Sequence, residues 1–406
     1  MMLSALDLSN LDRLRKCWKK VVSNKSKEVL RSSRGIDGVT LDDFRRKESE
    51  ALESLSERIK TGSYLPQPVK FVPKKKTNGE YRPIAVPTIE DRIVQRAMLD
   101  LFEPYLIPVI KTGVSYCGIK CDEDDSMNLK GAMRQIVKNV SKGKFWILKS
   151  DIVSFYDRIP KAKILENVLS ALPGLDSFTA GLLNRYIYFE TGNPEIFSAH
   201  GMALPRDDIG ITQGSSFSPI FSNLYLADVD RLMKGNFGHG FLRYADDLMV
   251  VCMTKQEAQD AKEMMVSTLG TLGLSLSPKI EKTRIARLQS QHTDFLGISI
   301  RPTGLTLKGG VAYARKSLEE MLHRKAYEKF VIENGRKLDV YEQMKRRIIS
   351  WASHYRFYHV DELFMDLGFF LEKKTKIMFK GQILNPLPSV KLDPLIPLND
   401  WKALFQ

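Results

Sequence analysis

Three acidic side chains stand where an acid is out of place. Asp151 closes the apolar run FWILKSD, and Asp246 and Asp247 interrupt the apolar run FLRYADDLMVVC. If the two runs are neighbouring strands, three carboxylates converge at one sheet edge. Anions gathered in such a place repel one another and resist ionisation unless a cation stands among them. Hard oxygen ligands suit Mg²⁺, which keeps several waters and completes its shell from phosphates. Two such ions about 3.5–4 Å apart can clamp the attacking and leaving oxygens of an in-line phosphoryl displacement. The alternative is plainer: Asp151 caps the next turn, and Asp246-Asp247 is a polar hairpin bend. The apolar flanks weigh against it, because a buried hairpin has little reason to carry two charges.

The elements that must position these acids can be read from residue patterning. Residues 145–151 read as a buried strand, and 240–252 as a β-hairpin bent at Asp246-Asp247. Between them, 160–208 is mixed helix and loop, and QGSSFSPIFSNLYLADVDRLM (213–233) is a Gly/Ser turn running into an amphipathic helix. A helix at 255–272 follows, then LSLSPKIEKTRI and DFLGISI as strands. Asp157 is expected to cap the helix after Pro160. Upstream, two short apolar runs flank Lys74-Lys75-Lys76-Thr77-Asn78-Gly79, and Asn-Gly between strands marks a hairpin, here with a basic tip. Thr88 is expected to cap a helix running to about Leu106. Helical periodicity also marks 10–31, 41–60 and 313–378, and a proline-rich tail closes the chain. The fold class expected is α+β, an antiparallel sheet with helices on one face.

Composition bounds the rest. The chain has 406 residues, 43% hydrophobic and 27% charged, too long for one small domain and too apolar for wholesale disorder. No apolar run of membrane-spanning length occurs, and the first residues do not read as a secretory signal. Four cysteines exclude a disulfide scaffold, and with the preceding points the expectation is a cytoplasmic protein with no membrane partner. Cys117 and Cys121 resemble half a zinc site with no second pair. The net charge is +14, from 62 basic and 48 acidic residues. Residues 1–100 hold 21 basic and 14 acidic groups, 301–406 hold 19 and 12, and the middle balances at 22 each. Basic flanks around a neutral centre suit a grip on a polyanion, or equally lysine-rich helix faces in water.

The motifs resemble, in order, those of reverse transcriptases of the group II intron-like lineage. Tyr244-Ala245-Asp246-Asp247 is similar to the YxDD box, LKSDIVSFYDRIP (148–160) to the first carboxylate motif, and GITQGSSFSPIFSNLYL (210–226) to the motif between them. EKTRI (281–285) resembles the downstream lysine motif and FLG (295–297) the primer-grip turn. GIDGVT, GSYLPQP, YRPIAVP and TIEDRIVQ resemble the amino-terminal blocks, and SWASHYR (350–356) a thumb segment.

The resemblance implies a right-hand polymerase: an N-terminal extension and fingers over 1–144, a palm over 145–305 with a finger-side insertion at about 160–208, a helical thumb over 306–390 and a tail over 391–406. It implies two Mg²⁺ ions, with Mn²⁺ as a substitute, held by Asp151, Asp246 and the Ile152 carbonyl. Asp247 becomes the second acid of the box, and Lys282 the lysine that protonates leaving pyrophosphate. Tyr156 matches the aromatic gate that leaves no room for a ribose 2′-hydroxyl. Arg82 matches the finger arginine on the triphosphate, and Gln213 and Gly214 the loop against nucleotide and template base. Lys74, Lys75, Lys76 and Arg356 are expected to meet nucleic acid backbone. Asn223 is expected to hydrogen-bond within its own helix.

Two departures shape the expectation further. The segment SYCGIKCDEDDS (115–126) carries acids where relatives are basic. No DNA-binding or nuclease module is expected after the thumb, so the nearest resemblance is to stand-alone bacterial defence-associated (unknown-group) enzymes. The expected partners are then a structured non-coding RNA template, a DNA primer or product, and deoxynucleoside triphosphates. The alternatives are a maturase-like RNA-binding protein, and a template-independent or protein-primed polymerase. The oligomeric state is not legible.

Overall fold

In the computed structural model, residues 2–309 are described apart from 24, 26, 77–78 and 119–126, together with scattered positions between 310 and 395 and the stretch 396–405. Asp122–Asp125, Cys121, Tyr355, Arg356 and most of the expected thumb lie outside the described residues.

The frame is a four-stranded antiparallel sheet in the order β4-β5-β3-β6, built from β3 (Trp146–Asp151), β4 (Phe241–Tyr244), β5 (Asp247–Cys252) and β6 (Arg284–Arg287). The two apolar runs of the sequence are indeed adjacent, and Asp151 pairs with Asp247 in register. The class is α+β as expected, but cover is not confined to one face. Leu248 to Cys252 are buried without interruption, and both the Lys255–Thr271 and the Leu129–Val140 helices pack on β5. The run LSLSPKIEKTRI is not one strand. Leu276 makes an isolated bridge to Ile152 and β6 begins only at Arg284, because Pro278 has no N–H for a ladder and the next residues turn, Lys282 and Thr283 N–H both donating to the Lys279 carbonyl.

Helix ends follow local chemistry. Thr88 caps the Ile89–Ile110 helix by accepting from Asp91 N–H. That helix runs past Leu106 through Pro104 and Pro108, since burying Phe102, Leu106 and Ile110 offsets the lost hydrogen bonds. The Ser218–Phe237 helix also threads the core. Asp157 does not cap: it lies in a 3₁₀ turn, Phe155–Arg158, and the Lys161–Ala171 helix is entered through Pro160 without a side-chain cap. The first N–H of that helix, of Lys161, donates instead to the Asp208 carbonyl at 3.0 Å.

A second hairpin, β1 (Lys70–Lys75) and β2 (Tyr81–Val86), rests on its own small core of Val69, Phe71, Ala85 and Phe197. A third sheet joins β7 (Thr293–Phe295), β8 (Ile298–Arg301) and β9 (Gly304–Leu307). Among the described residues no helix is long and apolar enough to cross a membrane.

Candidate active site

The three carboxylates meet at one end of the four-stranded sheet. Asp151 ends β3, Asp247 opens β5 opposite it, and Ala245-Asp246 forms the two-residue bend after Tyr244. The bend is tied to β3 by a hydrogen bond from Ile152 N–H to the Asp246 carbonyl, 3.1 Å. Asp151 Oδ2 accepts from Lys282 Nζ at 2.6 Å, across 131 residues of chain. Asp151 Oδ1 is buried and has no hydrogen-bond partner.

The electrostatics are those of crowded anions. Burial raises the Asp246 carboxyl, and the Asp151 charge raises it further. Burial, then the Asp246 charge, push Asp247 up to about 6. Lys282 is raised by its hydrogen bond to Asp151. The expected divalent ion can be tested against this donor set. All-oxygen, mutually repelling carboxylates and one orphaned buried oxygen suit a hard cation. As they stand, no three Asp, Glu, His or Cys side chains among the described residues form a closed metal cage, and the cation that meets Asp151 is the Lys282 ammonium. The residues fit open coordination completed by substrate oxygens.

Of the expected nucleotide-facing residues, Tyr156 and Arg82 lie within electrostatic reach of Asp246. Tyr156 is partly buried, with its phenol raised chiefly by burial. Gln213 carbonyl accepts from Ala85 N–H at 2.7 Å, so the Gln213-Gly214 loop is stitched to β2. Gly214 has φ +116°, and a Cβ there would overlap the Ala85 carbonyl, so both conformation and space require glycine. Arg82 is exposed on β2, and its charge reaches Asp246. Lys74 lies across from Arg82 in register, Lys75 from Tyr81, and Lys76 pairs with Glu80 at 3.3 Å. Arg356 lies outside the described residues.

Sequence reasoning missed a second charged group beneath the bend. Arg243 and Asp230 are fully buried, and Arg243 Nε and Nη2 donate to the two Asp230 oxygens at 2.7 and 2.6 Å. Asn223 bonds within its helix, to the Pro219 carbonyl, and also donates to the Cys117 carbonyl and accepts from Arg243 and Ser115. The signal was available: Arg243 is a charge inside an apolar strand, and Asn223 and Asp230, seven apart, share one helix face. Three non-glycine residues have left-handed backbone among those described, Ser154, Ala245 and Leu296. The first two flank the carboxylates, and Leu296 lies in FLG. Such strain gathers where surroundings hold a functional geometry.

A family model described as reverse transcriptase (RNA-dependent DNA polymerase) matches residues 72–300, more than half of the chain and the whole of the carboxylate frame. The chain belongs to that family. The architecture is accordingly that of a right-hand polymerase. Among curated relatives, protein YkfC of Escherichia coli K12 is 25% identical over 297 residues, covering 65% of this chain and 74% of YkfC. The group II intron-encoded protein LtrA of Lactococcus lactis subsp. cremoris is 27% identical over 203 residues, covering 50% of this chain. The chain spans only 31% of LtrA. A solved telomerase from Candida albicans, in complex with a fragment of telomeric RNA, aligns with 84% of this chain and 63% of its own at 12% identity and a TM-score of 0.42.

Proposed function

We propose that this reverse transcriptase extends a 3′-hydroxyl with deoxynucleotides on an RNA template, by nucleotidyl transfer at Asp151, Asp246 and Asp247. The observation that carries the proposal is the convergence of these three acids on one strand end and one bend, with a buried Asp151 oxygen left unpartnered. Asp151, Asp246 and the Ile152 carbonyl would hold the Mg²⁺ or Mn²⁺ ions. When bound, such ions lower the pKa of the attacking hydroxyl and neutralise the triphosphate and leaving group.

The chain's own residues supply the rest. Asp247 adds field and shapes the primer side of the bend. Lys282, already at Asp151, brings a proton and a positive charge to the departing pyrophosphate. Arg82 offers a fork of donors to phosphate oxygens from the β1–β2 hairpin. The Tyr156 ring walls the sugar position and selects deoxyribose. Gln213 and Gly214 line the base pair being formed, on a loop that Ala85 N–H ties to β2 through the Gln213 carbonyl. Lys74, Lys75 and Lys76, with Arg356, contact nucleic acid backbone without reading sequence. On this reading 1–144 contribute the fingers, 145–305 the palm, 306–390 the thumb and 391–406 the tail.

The finer setting belongs to the same proposal: the template is a structured non-coding RNA and the product serves anti-phage defence. This part rests on the sequence resemblance to defence-associated enzymes. Purified protein is tested for Mg²⁺-dependent DNA synthesis on a primed RNA. Synthesis by the natural chain and none by Asp151→Asn supports the reading. RNA binding without synthesis would instead fit a maturase-like role. Sequencing RNA and DNA that co-purify from the native host identifies the template, and absence of a recurrent structured RNA would remove the finer reading.

A further inference from the structure

We propose that Arg243 is a positioning residue for the reaction, holding the Ala245-Asp246 bend in its working conformation through the Ala245 carbonyl. The inference rests on the polymerase reading above. Arg243 is followed directly by Tyr244 and the bend, and strand side chains alternate between faces. Its side chain therefore points away from the face carrying Tyr244 and Asp247, into the protein.

There it makes four hydrogen bonds. Two go to Asp230 and one to Asn223 Oδ1 at 2.9 Å. The fourth, from Nη1, reaches the Ala245 carbonyl at 3.3 Å. A buried ion pair needs the first two to offset desolvation; the fourth bond does something else. Ala245 has φ +55°, a conformation that costs an L-residue about 1–2 kcal/mol and persists only where neighbours enforce it. The next carbonyl, of Asp246, accepts from Ile152 N–H. The bend is thus held at two successive carbonyls, from Arg243 and from β3. Rotation of the peptide between Ala245 and Asp246 would break the first of these bonds and swing Asp246 relative to Asp151.

The grip is itself braced. Thr112 donates to Asp230 Oδ2 at 3.1 Å and Ser115 to Asn223 Oδ1 at 2.7 Å. The backbone of Arg243 is clamped between Val114 carbonyl and Tyr116 N–H, both at 2.8 Å. Residues 112–117 therefore run beside β4 and lock the guanidinium laterally, while the Ser218–Phe237 helix supplies its counter-charge. A planar fork can serve Asp230 and Ala245 together, whereas a single ammonium reaches only one.

The test is Arg243→Lys, with Asp230→Asn as a second variant should the first fail to fold, and Val168→Ala, at a buried apolar position outside this network, as a control for lost stability. In the folded variants kcat for primer extension should fall about 10- to 100-fold, with nucleotide KM and primer–template Kd within about twofold. Val168→Ala should lose stability and keep its kcat. Amide hydrogen exchange reads the same claim without activity. Ile152 N–H should exchange about tenfold faster in Arg243→Lys while Met249 to Cys252 keep their protection. Unchanged kcat in folded Arg243→Lys and Asp230→Asn, or exchange raised evenly along β5, overturns the proposal. If the natural chain itself makes no DNA, the polymerase reading fails, and the exchange data alone decide whether Arg243 holds the bend.

Discussion

Two carboxylate–cation pairs are built around the same hairpin and have opposite characters. Asp230–Arg243 is wholly buried, bidentate, and surrounded by Asn223, Ser115 and Thr112. Asp151–Lys282 is open: the lysine side chain is 50% exposed, one Asp151 oxygen has no partner, and two further acids crowd beside it. Interior charge is stable when every donor and acceptor is matched, and frustrated when it is not. Both oxygens of Asp230 are matched by donors, whereas Asp151 keeps one buried oxygen unmatched. Alternation of side chains along β4 and β5 is what permits both within a few residues.

The comparison can be broken at either end. The largest effect is expected at the open end: Asp246→Asn should lower DNA synthesis by about 10³-fold or more, roughly 4 kcal/mol of transition-state stabilisation. Its primer–template affinity, read by fluorescence anisotropy, should stay within about twofold.

Next, stability should separate the two pairs. Arg243→Met leaves a buried carboxylate unpaired and should cost about 3–5 kcal/mol in denaturant unfolding. Lys282→Met, at a half-exposed pair, should shift stability by about 1 kcal/mol or less while slowing synthesis. Equal stability losses would erase the distinction.

A smaller effect sharpens it. Asp247 has a folded-state pKa of about 6, raised from 3.8, so folded protein holds a proton that unfolded protein releases. The resulting destabilisation is full above pH 6 and fades as pH falls towards 3.8. Metal-free Asp247→Asn should therefore be more stable than the parent by about 1–3 kcal/mol at pH 7–8, with the gap closing in acid. Smallest is the effect expected at the proposed gate: Tyr156→Ala should relax the preference for deoxy- over ribonucleotides about tenfold, measured as the ratio of kcat/KM values. An unchanged ratio would remove Tyr156 from the sugar position.

Much of this site was legible. Apolar runs ending in acids gave β3 and the β4–β5 hairpin, because alternating or continuous burial leaves a pattern in any strand. Asn-Gly between two runs marked the β1–β2 hairpin, and Thr88 marked a helix start through its own hydrogen bond. Other local readings failed where packing outweighed propensity. Helix Ile89–Ile110 ran through two prolines, and Asp157 was left without a capping role.

The chain alone determined which residues could do chemistry and where β1 to β5 would run, since residue type and periodicity are local properties. Only the tertiary structure decided how they pair. Asp151 finds Lys282 across 131 residues, and Asp230 meets Arg243 from a helix packed on the sheet. Gly214 turns out to be required by the Ala85 carbonyl pressed against it. Charge pairing and steric exclusion depend on distances in space, and a linear order of residues does not contain them until the core has closed.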